Sequence, residues 1–272
     1  MAAGFRGADR ILQVFQWEQD HEENSAYRFI RKDAIATDTL SRNGKGAAVK
    51  GGTGLIWSGF RPSDDACTYG YLIPSNMFAT VALGYLEEIA DRVYGDNQLK
   101  AAAAHLRQQI EKGIKEYGIV ETEDYGKIYA YEVDGFGQYN LMDDANIPSL
   151  LSMPYLGYRG DRGIMQSTRR FILSEANPCY YQGKYARGIG SPHTPKNHVW
   201  PLALIMQGMT STDKKEKEDI LRMLSETDAE TGLMHESMHV DDPKKYTREW
   251  FSWANALFCE CILDFCGYGI VK

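Results

Sequence analysis

The sequence lacks an excess of basic charge, a long apolar run and an apolar leader. Asp and Glu number 37 against 30 Lys and Arg, so the formal net charge is −7. Nucleic acids and anionic membranes attract basic surfaces, and we therefore expect neither as a partner. No apolar run approaches the roughly 20 residues that span a bilayer, and the first residues do not resemble a secretory signal. These absences predict a cytoplasmic protein.

The sequence is also poor in cysteine and in nucleotide-binding patterns. Its five cysteines are scattered, without histidine or cysteine partners at metal-ligand spacing. We expect buried thiols in a reducing compartment, and neither a metal nor a cofactor. The glycine-rich segment 44–54 lacks the order of residues found in phosphate-binding loops, and no βαβ alternation surrounds it. We therefore do not expect a Rossmann-like sheet.

Two kinds of helical segment alternate along the chain. One kind is apolar nearly all round, which is typical of a buried helix; the other is amphipathic and charged, which is typical of a helix at the surface. The apolar segments are Asn76–Tyr85, Val199–Met206 and Trp250–Phe258, and the charged ones are Gln98–Tyr117, Arg162–Leu173 and Asp213–Thr227. This alternation predicts inner and outer helices, as in two concentric rings.

Long stretches rich in Gly, Pro, Tyr and Asp precede the inner helices. They are 31–75, 119–146, 177–197 and 230–247. Loops longer than about 12–15 residues are uncommon in compact domains and are often functional. Some should contain short hairpins, since Lys127–Asp134 has strand-forming residues. We predict an all-α single domain over residues 1–272, with loops and hairpins on one rim. With about eight helices against the roughly twelve of a closed toroid, we expect it to be incomplete at the N-terminus.

The first of these stretches ends in a pair of adjacent carboxylates, Asp64 and Asp65, after Arg61. Glycoside hydrolysis needs one carboxylic acid that stays protonated, and burial or a like charge nearby raises its pKa. Aromatic side chains, here Trp57 and Tyr69, stack on sugar faces. The alternative is structural: the Ser63 or Asp64 side chain caps a helix and Asp65 pairs with Arg61.

Two further motifs offer polar groups to a sugar. The segment 140–148 contains Asp143, Asp144 and Asn146, whose side chains could bind hydroxyl groups; the alternative is that Asn146 caps a helix. The segment 188–195 is stiffened by two prolines and presents His193. A histidine on a rigid loop of the predicted rim is a candidate for substrate contact, although a lone histidine is often structural.

The segment 232–243 contains His235, Glu236 and His239 in the order of a zinc-protease motif. That motif requires a helix, whereas the flanking Gly232 and Pro243 indicate a loop. We therefore favour the hypothesis that Glu236 is a general base that activates water over a zinc site. The Asp-Asp pairs are also reminiscent of terpene synthases, but few basic residues nearby could hold a diphosphate.

Four runs closely resemble glycoside hydrolase family 125, the exo-acting, metal-independent α-1,6-mannosidases with an (α/α)6 barrel. The runs are Trp57-Ser-Gly-Phe-Arg-Pro-Ser-Asp-Asp-Ala-Cys-Thr-Tyr69, Leu141-Met-Asp-Asp-Ala-Asn-Ile-Pro-Ser149, Gly188-Ile-Gly-Ser-Pro-His-Thr-Pro195 and Trp250-Phe-Ser-Trp-Ala-Asn255. The resemblance covers essentially the whole chain. The family's acidic N-terminal substrate-binding segment, which contains Trp and Arg, has no counterpart here, again as expected of a truncated chain.

The resemblance implies an inverting hydrolase that removes terminal mannose from a mannose-containing oligosaccharide. It implies Asp64 as the general acid, with Asp65 as the alternative, and Glu236 as the general base. The two carboxyl groups of an inverting pair stand about 6.5–9.5 Å apart. Candidate sugar contacts are Trp57, Arg61, Asp65, Tyr69, Asp144, Asn146 and His193. Two other hypotheses are an inactive, mannoside-binding remnant and a related helical-toroid hydrolase that acts on another sugar.

Overall fold

A computed structural model describes residues 2–33 and 35–268, and its backbone contacts divide into two compact units. Unit 1 comprises residues 1–141 and 156–165, and unit 2 comprises 142–155 and 166–272. Unit 1 contains α1 (Ala2–Gln19), α2 (His21–Asn24), α3 (Ser41–Gly44), β1 (Tyr71–Leu72), α4 (Ile73–Ile89), α5 (Asn97–Tyr117), β2 (Ile119–Thr122), β3 (Gly126–Tyr129), β4 (Glu132–Val133) and β5 (Tyr139–Asn140). Helix α6 (Arg162–Ile172) carries the chain into unit 2.

The core of unit 1 is the pair of helices α4 and α5. Pro74 lies in the first turn of α4, where its missing N–H costs nothing. Asp96 caps α5 by accepting hydrogen bonds from the backbone N–H groups of Gln98 and Leu99, at 2.9 and 3.0 Å. The apolar stripe of α5 is buried, as the 3.6-residue period predicts; its members are Leu99, Ala103, Leu106, Ile110 and Ile114. The charged helix predicted at 98–117 is confirmed.

Unit 2 is built around the buried helix α7. Its further elements are β6 (Tyr180–Gln182), β7 (Arg187–Ile189), β8 (His198–Val199), α7 (Pro201–Met209), α8 (Lys214–Glu226), β9 (Ser237–His239), β10 (Asp242–Thr247) and α9 (Ser252–Phe265). Helices α8 and α9 pack on α7, whose residues 201–206 are all buried. The surface helices predicted at 162–173 and 213–227 are confirmed as α6 and α8, with Asp213 as the cap of α8.

The apolar helices differ from the prediction in burial and in where they begin. Only α7 is buried on all sides; α4 exposes Phe78 and Tyr85, and α9 exposes Trp253 and Phe265. Helix α7 begins at Pro201 because Val199 pairs in β8, and α9 begins at Ser252. An apolar sequence therefore identifies the helix, while burial depends on what packs against it.

The all-α prediction needs a correction, because about 44% of the chain is helical and several small sheets accompany the helices. The described strands form two three-stranded sheets, β1-β4-β5 and β10-β9-β8, and two hairpins, β2-β3 and β6-β7, all antiparallel. The hairpin expected near 127–134 is confirmed in part, as β2-β3. The long stretches pair with one another inside each unit, which satisfies backbone groups that a structureless loop would leave unpaired.

Two of the five cysteines are more exposed than predicted. Cys67, Cys179 and Cys261 are buried, whereas Cys259 and Cys266 on the last helix and at its end are exposed. No disulfide joins them among the described residues. Within residues 2–33 and 35–268, no helix is both long enough and apolar enough to cross a membrane.

Candidate active-site carboxylates

The segment with Asp64 and Asp65 forms a tight turn in unit 1. The Arg61 N–H donates to the Asp65 carbonyl at 2.8 Å, and the Asp64 N–H donates to the Arg61 carbonyl at 3.0 Å. Asp64 lies at the tip with a φ of 75°, in the left-handed region, and its side chain is exposed, whereas Asp65 is 3% exposed. The helix-capping alternative is wrong, because the next helix begins at Ile73. The turn thus presents one carboxylate to solvent and buries the other.

A buried glutamate, Glu132 of β4, anchors this turn. Its two oxygens accept hydrogen bonds from Nε and Nη2 of Arg61 at 2.6 and 3.1 Å, and Glu132 is 0% exposed while Arg61 is 8% exposed. The Thr68 N–H, at 3.2 Å, and the Asn140 side-chain amide, at 3.2 Å, donate to the same carboxylate. A bidentate pair of this kind is the strong geometry for an arginine and a carboxylate.

Sequence reasoning missed Glu132, although a signal for it exists. It is the one acidic residue in the apolar run Ile128-Tyr-Ala-Tyr-Glu-Val133. A charge within a strand-like apolar run is expensive to bury and needs a partner. Its partner is Arg61, which sequence reasoning had assigned to the sugar.

The predicted aromatic contacts in unit 1 are partly buried. Trp57 is 6% exposed and stacks on His21 with ring centroids 3.6 Å apart. Its Nε1 donates to the Ala47 carbonyl at 3.1 Å. Tyr69 is half-buried in the same turn, and its N–H points at Glu132 Oε2 at 3.4 Å. Trp57 is therefore a buried support of the loop that carries Asp64, and the Tyr69 ring is more accessible to solvent than the Trp57 ring.

Glu236 lies immediately before strand β9 in unit 2, and its backbone is held by the end of β10. Its N–H lies 3.1 Å from the Thr247 carbonyl and 3.3 Å from the Arg248 carbonyl. Its side chain is 8% exposed and forms an ion pair with Arg248, Nε to Oε1 at 3.1 Å. Glu236 is therefore a buried carboxylate with a fixed backbone and one cationic neighbour.

The histidines beside Glu236 do not form the zinc arrangement. A strand, β9, carries the segment, so the helical spacing of that motif is absent. Nδ1 of His235 lies 2.6 Å from the Glu249 carbonyl, and Nε2 lies 3.2 Å from the Asp228 carbonyl. Nδ1 of His239 accepts the Asp241 N–H. No cluster of potential metal ligands occurs among the residues that the structure describes.

The second motif is a buried polar network in unit 2. Asp143 accepts the backbone N–H groups of Leu150 and Leu151 at 2.8 and 2.9 Å, and its own N–H donates to Asn177 Oδ1 at 3.2 Å. Burial raises the pKa of Asp143 to about 8, against the opposing effect of these two N–H groups. Asp144 and Asn146 are 1% and 3% exposed. Asn146 is not a helix cap, since the next helix begins at Arg162.

The loop with His193 is fixed by short contacts. The His193 N–H donates to Ser191 Oγ at 3.2 Å, and Trp200 Nε1 donates to Thr194 Oγ1 at 2.9 Å. The loop leads into β8, which pairs with β9 through Val199 and Met238. Unit 2 thus connects the His193 loop to the strand that follows Glu236, while the turn with Asp64 and its anchor Glu132 belongs to unit 1.

Comparisons with known proteins point to one family. Residues 4–263 match the family described as metal-independent α-mannosidase, GH125. A solved Streptococcus pneumoniae metal-independent α-mannosidase, in a non-productive complex with α-1,6-mannobiose, is 50% identical with a TM-score of 0.94. The match covers 97% of this chain and 62% of that one. The meiotically up-regulated gene 157 protein of Schizosaccharomyces pombe is 43% identical over 266 residues, 94% of this chain and 52% of its own length.

Proposed function

Because the chain belongs to glycoside hydrolase family 125, we propose that it provides the catalytic carboxylates of an exo-α-1,6-mannosidase that acts with inversion. The observation that carries this proposal is the similarity, over 97% of the chain, to an α-mannosidase bound to α-1,6-mannobiose. The substrate would be a mannose-containing oligosaccharide with a terminal α-1,6-linked mannose. The chain spans only 52% and 62% of the two relatives, so activity is assigned to the protein of the family's full length.

Glu236 would act as the general base and Asp64 as the general acid. The base takes a proton from water while the water oxygen attacks C1 of mannose, and the acid protonates the departing glycosidic oxygen as its bond to C1 breaks. We assign the acid to Asp64 because its exposed side chain can reach a leaving group, whereas Asp65 is buried. Backbone strain such as the positive φ of Asp64 often occurs at functional sites.

The other predicted residues divide into sugar contacts and supports. Tyr69 and His193 are half-buried and can meet a ligand, and Asp144 and Asn146 offer polar groups from a fixed segment. For Trp57 and Arg61 we propose support of the Asp64 turn, because His21 stacks on the indole ring and Glu132 binds the guanidinium. This replaces the direct sugar contact that the sequence suggested for both residues.

We also propose that the helices form part of a single (α/α)6 barrel domain in the cytoplasm. The supporting observations are local. Two pairs of consecutive helices share one arrangement, in which a charged helix follows an apolar helix and packs on it. The pairs are α4 with α5 and α7 with α8. The absence of a disulfide among the described cysteines is compatible with a reducing compartment.

Proton NMR of α-1,6-mannobiose hydrolysis tests the proposal. We expect β-mannose to appear first, with α-mannose following only by mutarotation, because inversion converts an α-linkage into a β-product. Glu236→Gln and Asp64→Asn should each lower kcat by about 10²–10⁴-fold. Glu226→Gln, an exposed glutamate at the end of α8, should leave kcat unchanged. Early release of α-mannose would refute inversion, and full loss in Asp65→Asn alone would move the acid to Asp65.

A further inference from the structure

We propose that Arg248 is a positioning residue that fixes the orientation of the Glu236 carboxylate and directs one of its oxygens to the attacking water. This inference rests on the proposed function of Glu236. Arg248 Nε lies 3.1 Å from Glu236 Oε1 and forms an ion pair with it. The two side chains differ sharply in exposure, because the carboxylate is 8% exposed and the arginine 61% exposed. A solvent-exposed cation thus reaches inward to a buried carboxylate.

Several contacts fix the backbone around this ion pair, so the backbone position of Glu236 does not depend on the Arg248 side chain. Ser237 Oγ and Thr247 Oγ1 are hydrogen-bonded at 2.7 Å across β9 and β10. The His235 ring stacks on Tyr246 with centroids 3.9 Å apart and planes 5° from parallel. The Phe251 N–H donates to the Met234 carbonyl at 3.1 Å beyond the end of the strand pair.

Arg248 has an unfavourable backbone conformation for a residue with a side chain. Its φ is 44°, in the left-handed region that glycine adopts readily. A non-glycine residue in this region is strained, and such strain is tolerated where the side chain has a task. The task that its geometry indicates is the ion pair with Glu236, with the guanidinium also lying 6.0 Å from the Phe251 ring centroid.

The ion pair orients the carboxylate of the proposed general base. Because Nε lies beside Oε1, we assign to Oε2 the proton that leaves the water as its oxygen bonds to C1. The guanidinium would also limit rotation of the carboxylate, and such orientation is a large part of catalysis.

Other titratable groups near Glu236 have their contacts elsewhere. His235 and Tyr246 stack on each other. Glu249 offers its backbone carbonyl to His235, as does Asp228 from the loop before β9. His239, at the far end of β9, faces His198 of β8 and accepts the Asp241 N–H. Removal of the Arg248 side chain should therefore affect the Glu236 carboxylate more than removal of any of these other titratable side chains.

The test compares kcat and KM for α-1,6-mannobiose in wild type, Arg248→Gln, Arg248→Lys and Arg248→Gly. We expect Arg248→Gln to lower kcat about 10-fold with little change in KM, because the carboxylate loses its orientation while the sugar contacts remain. Arg248→Lys should recover part of the rate, because a cation remains near the carboxylate. Arg222→Gln is the matched control, since Arg222 is 66% exposed and pairs with Asp219.

Arg248→Gly separates positioning from folding. Glycine relieves the left-handed strain, so the variant should melt at or above the wild-type temperature and yet lose activity as Arg248→Gln does. A wild-type kcat in both Arg248→Gln and Arg248→Gly would overturn the proposal. A parallel loss of Tm and activity in both would do so as well, because it would indicate a structural role. Absence of turnover in the wild-type protein of the family's full length would instead refute the proposed function.

Discussion

At the scale of single residues, the acidic side chains of the aspartate motifs differ in burial and in partners. Asp64 is exposed at the tip of its turn, whereas Asp65, Asp143 and Asp144 are buried. Burial disfavours the charged carboxylate, and for Asp143 this effect exceeds the favourable N–H contacts from Leu150 and Leu151. Asp143 is thus a structural acid of the second motif. It fixes the segment that carries Asp144 and Asn146.

The raised pKa of Asp143 makes the stability of the fold depend on pH. Between its ordinary value of 3.8 and about 8, the folded state keeps a proton that the unfolded chain releases. The unfolded chain binds fewer protons in this interval, so the free energy of unfolding should fall as pH rises, by at most about 1.4 kcal/mol per pH unit. Urea unfolding from pH 4 to 8 should show this slope, and Asp143→Asn should flatten it.

Asp143→Asn also loses one acceptor for the two N–H groups, which lowers stability at every pH. The decisive measurement is therefore the slope of the free energy of unfolding against pH, and not its absolute value. Asp124→Asn, at an exposed turn position between β2 and β3, controls for the loss of one charge and should keep the wild-type slope. A slope unchanged in Asp143→Asn would show that Asp143 is ionised in the folded state at neutral pH.

At the scale of elements, short strands fix the turn that carries Asp64. Strand β4 lies between β1 and β5, with Leu72 opposite Glu132 and Glu132 opposite Asn140. The side chain of Glu132 then binds Arg61, which joins the turn to the sheet. A two-residue strand adds little stability by itself. The ion pair between Glu132 and Arg61 therefore fixes the turn more than the backbone hydrogen bonds of β4 do.

Breaking this link should be costly. Glu132→Gln leaves the Arg61 guanidinium buried without its counter-charge, and removing one partner of a buried pair costs about 3–5 kcal/mol. Chemical denaturation should report that loss in the free energy of unfolding. Glu87→Gln is the matched control, because Glu87 binds Arg107 in the same bidentate way but with the arginine 32% exposed. A partly exposed pair should cost only about 1 kcal/mol or less, and equal losses would contradict the argument.

At the scale of the whole molecule, the chain spans about half of the yeast relative and 62% of the bacterial structure. Helices α4 and α9 expose apolar side chains, among them Phe78, Ile89, Trp253 and Phe265. The carboxylates that we propose as acid and base lie in this chain, so binding and turnover can be measured separately on it.

Calorimetry with α-1,6-mannobiose, run beside the NMR assay, distinguishes an enzyme from a binding remnant. We expect the 272-residue chain to bind the disaccharide more weakly than a homologue of the family's full length, because fewer residues contribute contacts. Binding with no turnover would favour the remnant, and turnover at the rate of the full-length homologue would remove that hypothesis. Maltose serves as the control sugar and should give no heat of binding.

The sequence by itself determined the helices and the catalytic candidates. Period and charge identify α5, α6 and α8, because a helix repeats its buried face locally. The runs at 57–69, 141–149, 188–195 and 250–255 identify the family.

Only the tertiary structure decided the environment of each candidate. Contacts from residues distant in sequence set it: Glu132 lies 71 positions from Arg61, and the stacking of His21 removes one face of Trp57 from solvent. Arg248 reaches Glu236 through the pairing of β9 with β10. Burial and partner choice depend on which surfaces meet, and no local pattern encodes that.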